Sequence, residues 1–597
     1  MIRNDGQMKP RVRAPELNGR GWLNTGGKEL KLADLRGRIC VLDFWTFCCV
    51  NCLHVLDELR PLEQKYGDVL VVIGVHSPKF EHERDPLALA AAVERYGVHH
   101  PVLDDADMQV WRQYAAKAWP TLAVIDPAGY LVASMAGEGH ADGLSRLIDE
   151  LIAEHEADGT LHRGDGPYVA PPAPETLLRF PGKAIELPGG HLLVSDTAHH
   201  SLAELAADDT RLVRRIAGMN EPQGLLLLPP HVAEVAGYDV LVADAVDHRL
   251  RGVRLDTGEV TTVAGTGRPW RSIVDDHAHD ALAADLSSPW DLAWYDDKVI
   301  IAMAGIHQLW WFDPVKRTIG VYAGTTVESL RDGPIPDVWM AQPSGLSVGG
   351  DRLWIADSET SALRWIAGGQ MHTAVGQGLF DFGHADGQAT QALLQHPLGV
   401  AALPDGTVLI ADTYNNAVRR YDPAAGTVST VDAGLSEPSD ILVTAAGDVT
   451  VVESGAHRLT RLAPGAVRNV APTRHRTERP PAPLAPGEVT LDVVFTPAPG
   501  QKLDETFGPS TRLEISAAPP ELLLDGAGTS SDLSRRLVLN PAVERGILQV
   551  TARAATCDTD AGNAACHLTR QDWGVPIVVT PNGPARLPLV LRGLDEG

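Results

Sequence analysis

Apolar and polar positions divide the chain into three regimes. Up to about residue 165, "ICVLDFW" and "VLVVIGVHS" are continuous apolar runs, as expected of strands buried on both faces of a sheet. Between them Leu53, Leu56, Leu59 and Leu62 recur at helical spacing. Further on, "ALAAAVERYG" predicts a helix, "TLAVIDPAGYLVASMAG" a hairpin turning at Pro127–Gly129, and "GLSRLIDELIAEH" a closing helix. Strands alternating with helices make residues 1–165 an α/β domain with a crossover.

From 172 to 470 short strands and turns repeat. The repeating pattern is a proline, a Gly or Asp two places on, an apolar strand, a turn, and a second apolar strand that usually ends in Asp. The anchoring prolines are Pro181, Pro222, Pro289, Pro343, Pro397 and Pro438. Strand pairs at this spacing predict the blades of a propeller, each too small to bury its own face. Six copies predict six blades. Blade three ends in Met303 rather than Asp, and blade six in Glu453. Residues 471–487 are rich in proline and charge and predict a linker. Beyond it, alternating segments from 488 to 597 predict an all-β sandwich.

A length of 597 residues requires several cores. The formal net charge of -26 argues against nucleic acid or an anionic membrane as the main partner. The N-terminus lacks the apolar segment of a secretory signal, and no run is long enough to span a bilayer. With only six cysteines, the expected location is the cytoplasm, where CxxC is more often catalytic or metal-binding than structural.

Half of those cysteines fall in "DFWTFCCVNCLHVLDEL". A thiolate is the attacking species in disulfide exchange, so the site must favour the anion. Cys49 falls between a strand and a helix, where free N–H groups and the helix dipole do so, and Cys52 lies one turn further. A zinc site needs four ligands, and no second CxxC or HxxxH is spaced to supply them. No metal or cofactor is expected. His54 reads as a solvent-facing helix residue, Cys40 as core, and Cys48 as either a packed small hydrophobe or an auxiliary thiol. His199, His200, His248 and His457 follow strand-ending acids and read as parts of repeating turns. Cys557 and Cys566 read as two loop thiols or as a reversible disulfide.

"LADLRGRICVLDFWTFCCVNC", followed by a helix and later by "AWPTLAVIDPAGYLV", resembles the TlpA type of thioredoxin-like fold. The resemblance implies that Cys49 is the nucleophile and Cys52 the resolving thiol. It puts Asp43 at the family's buried acid, which serves the resolving cysteine, and Pro120 at the cis-proline beside the substrate. The sequence departs from the family at Cys48, where Trp is usual, and at Val50–Asn51, which replaces Gly-Pro or Pro-Pro. A redox potential therefore does not carry over. "VADAVDHRL" and "IADTYNNAV" resemble the NHL repeat. The late cysteine pair is similar to one in the N-terminal module of the thiol reductase DsbD, which implies a secondary redox pair at Cys557 and Cys566.

The order of thioredoxin-like domain, six-bladed NHL propeller and C-terminal β-sandwich resembles the NHL-repeat-containing protein 2 family and its bacterial relatives. The reading is a cytosolic thiol–disulfide oxidoreductase with the propeller as platform for a protein substrate or thiol-containing partner. It includes contact of the CxxC domain with the propeller or the C-terminal domain. The alternative is a non-enzymatic scaffold or redox sensor. A third option puts an active site in the propeller channel.

Overall fold

The computed structural model describes residues 12–594, apart from 173–174, 208–210, 271–276, 463–467, 477–478, 480, 504, 506–507 and 560–565. Much of the N-terminal stretch discussed above and the turn between Cys557 and Cys566 lie outside the described residues. The chain divides into two compact units, one of Met1–Lys79, Glu83–Ala173 and Glu478–Gly597, the other of Phe80–His82 and Pro174–Thr477. No helix among the described residues is long and apolar enough to cross a membrane.

The first unit begins with β1 (Val12–Arg13), β2 (Gly21–Leu23), β3 (Ile39–Trp45), α1 (Val50–Tyr66) and β4 (Leu70–His76). There follow α2 (Pro86–Arg95), β5 (Val102–Asp104), α3 (Gln109–Gln113), β6 (Thr121–Ile125), β7 (Tyr130–Ala136) and α4 (Ala141–Ala157). The sheet order is β2-β5-β4-β3-β6-β7, with β3 parallel to β4 and antiparallel to β6. Every residue of β3 and β4 is buried, which explains their unbroken apolar runs. Leu42, Phe44 and Ile73 pack on one face with Trp111, while Val41 and Val72 pack on the other with Val55, Leu59 and Ile148.

This sheet continues into the C-terminal strands β8 (Gly487–Phe495), β9 (Thr511–Ala518), β10 (Ser534–Leu539), β11 (Arg545–Asp558), β12 (Cys566–Val579) and β13 (Arg586–Gly593). Arg592 of β13 pairs with Met135 of β7, and β8, β10 and the short strand Leu523–Asp525 extend the same sheet, which with β1 counts eleven strands. A second sheet holding β9, β11 and β12 closes the sandwich around Leu491, Leu589, Leu548 and Trp573. The segment 471–487, read as a linker, is in part paired strand. Thr473–Arg476 pairs with Asp381–His384 and Ala482–Leu484 with β12.

In the second unit six successive sheets form the blades. The inner strands are Ala184–Glu186, Pro222–Leu227, Pro289–Tyr295, Pro343–Gly349, Gly399–Ala402 and Pro438–Val443, each packing on the next and the last on the first. The ring is fastened by one device used at every junction. A residue with positive φ offers a side-chain acceptor to the backbone N–H just before the next blade's proline. His200 takes the N–H of Glu221, His248 that of Ser288, His307 that of Gln342, Ser361 that of His396, and Asn416 that of Glu437. His457 closes the circle by accepting from Phe180 at 3.0 Å. The repeat histidines are thus structural acceptors; His199 instead meets Asp196 at 2.8 Å.

The strand-ending acid works within its own blade. Asp244, Asp357 and Asp412 each accept a backbone N–H, from Asn220, Ala341 and Gln395, and each pairs with the arginine seven residues on: Arg251, Arg364 or Arg419. In blade three Met303 and Trp310 occupy the corresponding positions and join the hydrophobic core. A buried ion pair has been replaced by an apolar pair, an exchange that is often neutral or stabilising. Among the inner strands, Lys183 Nζ lies 2.8 Å from the Leu398 carbonyl oxygen, 3.2 Å from Asp291 and 3.7 Å from Asp440; Lys183 and Asp291 are buried and Asp440 half-buried. Three of the positions two residues after the anchoring prolines thus meet in one charge cluster, in which Lys183 departs from the Gly or Asp of the other blades.

Replacing His457 by alanine should lower propeller stability by about 1–2 kcal/mol, since it leaves the Phe180 N–H unsatisfied. His457→Asn restores the kind of acceptor that Asn416 supplies and should recover most of the loss in urea unfolding. Equal loss in both variants would show that the imidazole acts by packing against Phe180 alone.

Candidate active site

The strand β3 delivers Asp43 to the middle of the sheet, in register between Gly74 of β4 and Leu122 of β6. Asp43 is fully buried, and neither carboxyl oxygen has a hydrogen-bond partner. Burial, reinforced by the charges of Glu63 and Glu58, holds its pKa well above the ordinary 3.8.

After β3 the chain turns through Thr46–Cys49 into α1. One buried side chain fixes this turn: Glu83 accepts from the Thr46 hydroxyl at 2.7 Å and the Cys48 N–H at 2.9 Å. Its second oxygen accepts the Lys79 N–H at 2.8 Å. Cys49 is the N-cap of α1, and its sulfur accepts the Cys52 N–H at 3.3 Å. A backbone donor at a helix amino end is suited to a thiolate. Cys49 is half-buried and Cys52 completely buried. Burial, the hydrogen bond with Cys49, and the charges of Cys49 and Asp43 raise the pKa of Cys52 well above 9.0; a backbone hydrogen bond at Thr46 opposes them. The outer sulfur can thus be attacked by or attack a substrate, while the inner one holds its proton over a buried carboxyl.

The remaining candidates take different roles. Cys48 is buried, its sulfur 3.9 Å from the Thr46 hydroxyl. Cys40 is core, its thiol pushed up to about 12 by burial. The Trp119–Pro120 peptide is cis, with the Pro120 carbonyl accepting the Gly137 N–H. His54 is not a solvent-facing residue: it is 6% exposed, and its Nδ1 lies 2.6 Å from Glu138. Helical periodicity misplaces it because the loop after β7 covers that face of α1, with Glu58 accepting the Gly139 and His140 N–H groups. Cys557 and Cys566 stand directly opposite on β11 and β12 and form a disulfide. Beside them Asp558 pairs with Arg146 of α4 and with His567.

Sequence reasoning missed Glu83 and His76. Glu83 sits in the polar stretch "KFEHERDP", where nothing distinguishes it from a solvated acid. His76 ends β4, fully buried, with both ring nitrogens unpartnered and its ring stacked on Phe47 at 5.3 Å. Burial, with Arg20, lowers its pKa to about 3, so it packs as a neutral ring against the turn. Among the described residues no group of three or more His, Cys, Asp and Glu is placed to hold a metal.

The comparisons with known proteins agree with this anatomy. Residues 10–134 match the AhpC/TSA family and residues 394–421 the NHL repeat. Protein SUPPRESSOR OF QUENCHING 1, chloroplastic, of Arabidopsis thaliana is 34% identical over 485 residues, 72% of this chain and 45% of that protein. NHL repeat-containing protein 2 of Gallus gallus is 34% identical over 488 residues, 73% of this chain and 65% of that protein. The chain thus spans about half to two thirds of the length of these relatives. The thiol-disulfide oxidoreductase YkuV of Bacillus subtilis is 27% identical over 150 residues, 25% of this chain and 100% of its own length. The chain is therefore a homologue of NHL repeat-containing protein 2, uniting a thioredoxin-like domain of thiol–disulfide oxidoreductase type with an NHL-repeat propeller.

Proposed function

We propose that the chain exchanges thiols and disulfides through Cys49 and Cys52. Cys49 as thiolate attacks a disulfide of a protein substrate, forms a mixed disulfide, and releases one substrate thiolate, which takes a proton. Asp43, ionised, accepts the Cys52 proton, and the Cys52 thiolate attacks the Cys49 sulfur. The second substrate thiolate leaves and is protonated, and Cys49–Cys52 is left as a disulfide. Two electrons pass from the dithiol to the substrate, and the reverse sequence oxidises a dithiol partner. The observation that carries this reading is the unpartnered Asp43 carboxyl, electrostatically linked to Cys52. A buried acid left without a hydrogen bond is costly to stability, which is typical of functional positions.

The disulfide of Cys557 and Cys566 is a second redox couple on this reading, and the propeller is a partner platform. The mutual pairing of Lys183, Asp291 and Asp440, which ties inner strands together, favours a structural role for these charges and a platform over an active site in the channel.

Cys49→Ser should abolish reduction of a model protein disulfide by the pre-reduced chain, whereas Cys48→Ser should leave most of it. Full activity in Cys49→Ser would refute the assignment. Asp43→Asn should slow the resolving step by ~100-fold, the scale of general-base catalysis, and remove its rise with pH. The same variant tests linkage. With its folded pKa raised, Asp43 keeps its proton where the unfolded chain has lost it. Native stability therefore falls as pH rises from the ordinary value near 3.8 toward the raised one. The stability of Asp43→Asn relative to wild type should grow with pH over that window. A difference independent of pH would contradict the raised pKa.

A further inference from the structure

Arg592, near the end of β13, is 9% exposed; its backbone carbonyl accepts the Thr496 N–H, but among the described residues its guanidinium makes no hydrogen bond or ion pair. Its guanidinium points at the first turn of α4: a Cβ at Gly143 would fall 2.5 Å from both Nη1 and Nη2. The N-cap residue His140 makes no side-chain capping bond there. The N–H groups of Ala141, Asp142 and Gly143 have no acceptor within the helix. The acid of this turn, Asp142, is exposed and approaches His567 at 3.9 Å. Arg146, whose charge acts on Arg592, donates to Asp558 and the Pro499 carbonyl oxygen. Burial, and secondarily the charge of Arg146, bring the Arg592 pKa down to about 10, so it is still ionised at neutral pH. A buried guanidinium without a counter-charge, set against the positive end of a helix, is electrostatically unfavourable unless an anion joins it.

We propose that Arg592 and the amino end of α4 form a binding site for a small oxyanion, a carboxylate or a phosphate group. The planar fork of Arg592 matches two oxygens of either group, and the first-turn N–H groups add donors from the other side. Gly143 makes room for the fork, because any side chain there would collide with it. The site adjoins the loop 137–140, whose groups bond Pro120, His54 and Glu58, so an anion held there borders the elements that carry the dithiol.

The test is calorimetric titration of the full chain with sodium phosphate and, separately, sodium acetate, in a chloride buffer of constant ionic strength. Saturable binding is expected, accompanied by a rise in Tm. Binding of phosphate alone assigns a phosphate ligand, binding of acetate alone a carboxylate, and binding of both a general oxyanion site. Arg592→Met should weaken binding by about tenfold or more, as loss of a charge-assisted pair does, and should raise Tm in chloride alone. Gly143→Ala retains the arginine but displaces its fork, and should weaken binding in the same way. The proposal is overturned if the wild-type chain binds neither anion saturably, or if the folded variants bind as tightly as wild type.

Discussion

The thiol chemistry depends on one constraint, a carboxyl group held without a partner inside a sheet buried on both faces. β3 is apolar at every position except Asp43, and pairing with β4 and β6 leaves that side chain no route to water. Burial keeps Asp43 protonated far above its ordinary range and, together with Cys49, does the same for Cys52. The inner thiol and the acid therefore share one difficulty: neither ionises easily, and each ionisation burdens the other. A proton passing from Cys52 to Asp43 leaves one charge in the site rather than two. Glu83 complements this arrangement from the other side by tying down the turn that carries Cys48 and Cys49.

The propeller obeys a different constraint, the need to satisfy backbone N–H groups where blades meet. Its answer is repetitive: one side-chain acceptor per junction, histidine at four of six, with Ser361 and Asn416 at the others. The strand-ending acids and their arginines brace individual blades, and Lys183 ties Asp291 and Asp440 of two inner strands together. Repetition at each level accounts for a closed ring built from strands too short to be stable alone.

Much of this was legible in the sequence because its signals are local. Continuous apolar runs marked β3 and β4, and the proline spacing marked six blades. The departure at Met303 was visible as a missing acid, although its apolar partner Trp310 was not. What escaped reading depends on pairing between distant segments. The junction of β7 with β13 joins opposite ends of the chain, so no periodicity announces it. His54 looked solvent-facing because its helix alone was considered, without the loop bearing Glu138. Glu83 and His76 carry no motif; their positions follow from tertiary packing around the turn.

The central claim is that Cys49 is the attacking sulfur and Cys52 the one that resolves. Its most direct test is mass spectrometry of Cys52→Ser after reaction with a disulfide-bonded protein substrate. The account predicts a persistent mixed disulfide on Cys49, released by added thiol. An adduct on Cys48 or Cys40, or no adduct at all with the protein folded, would contradict it.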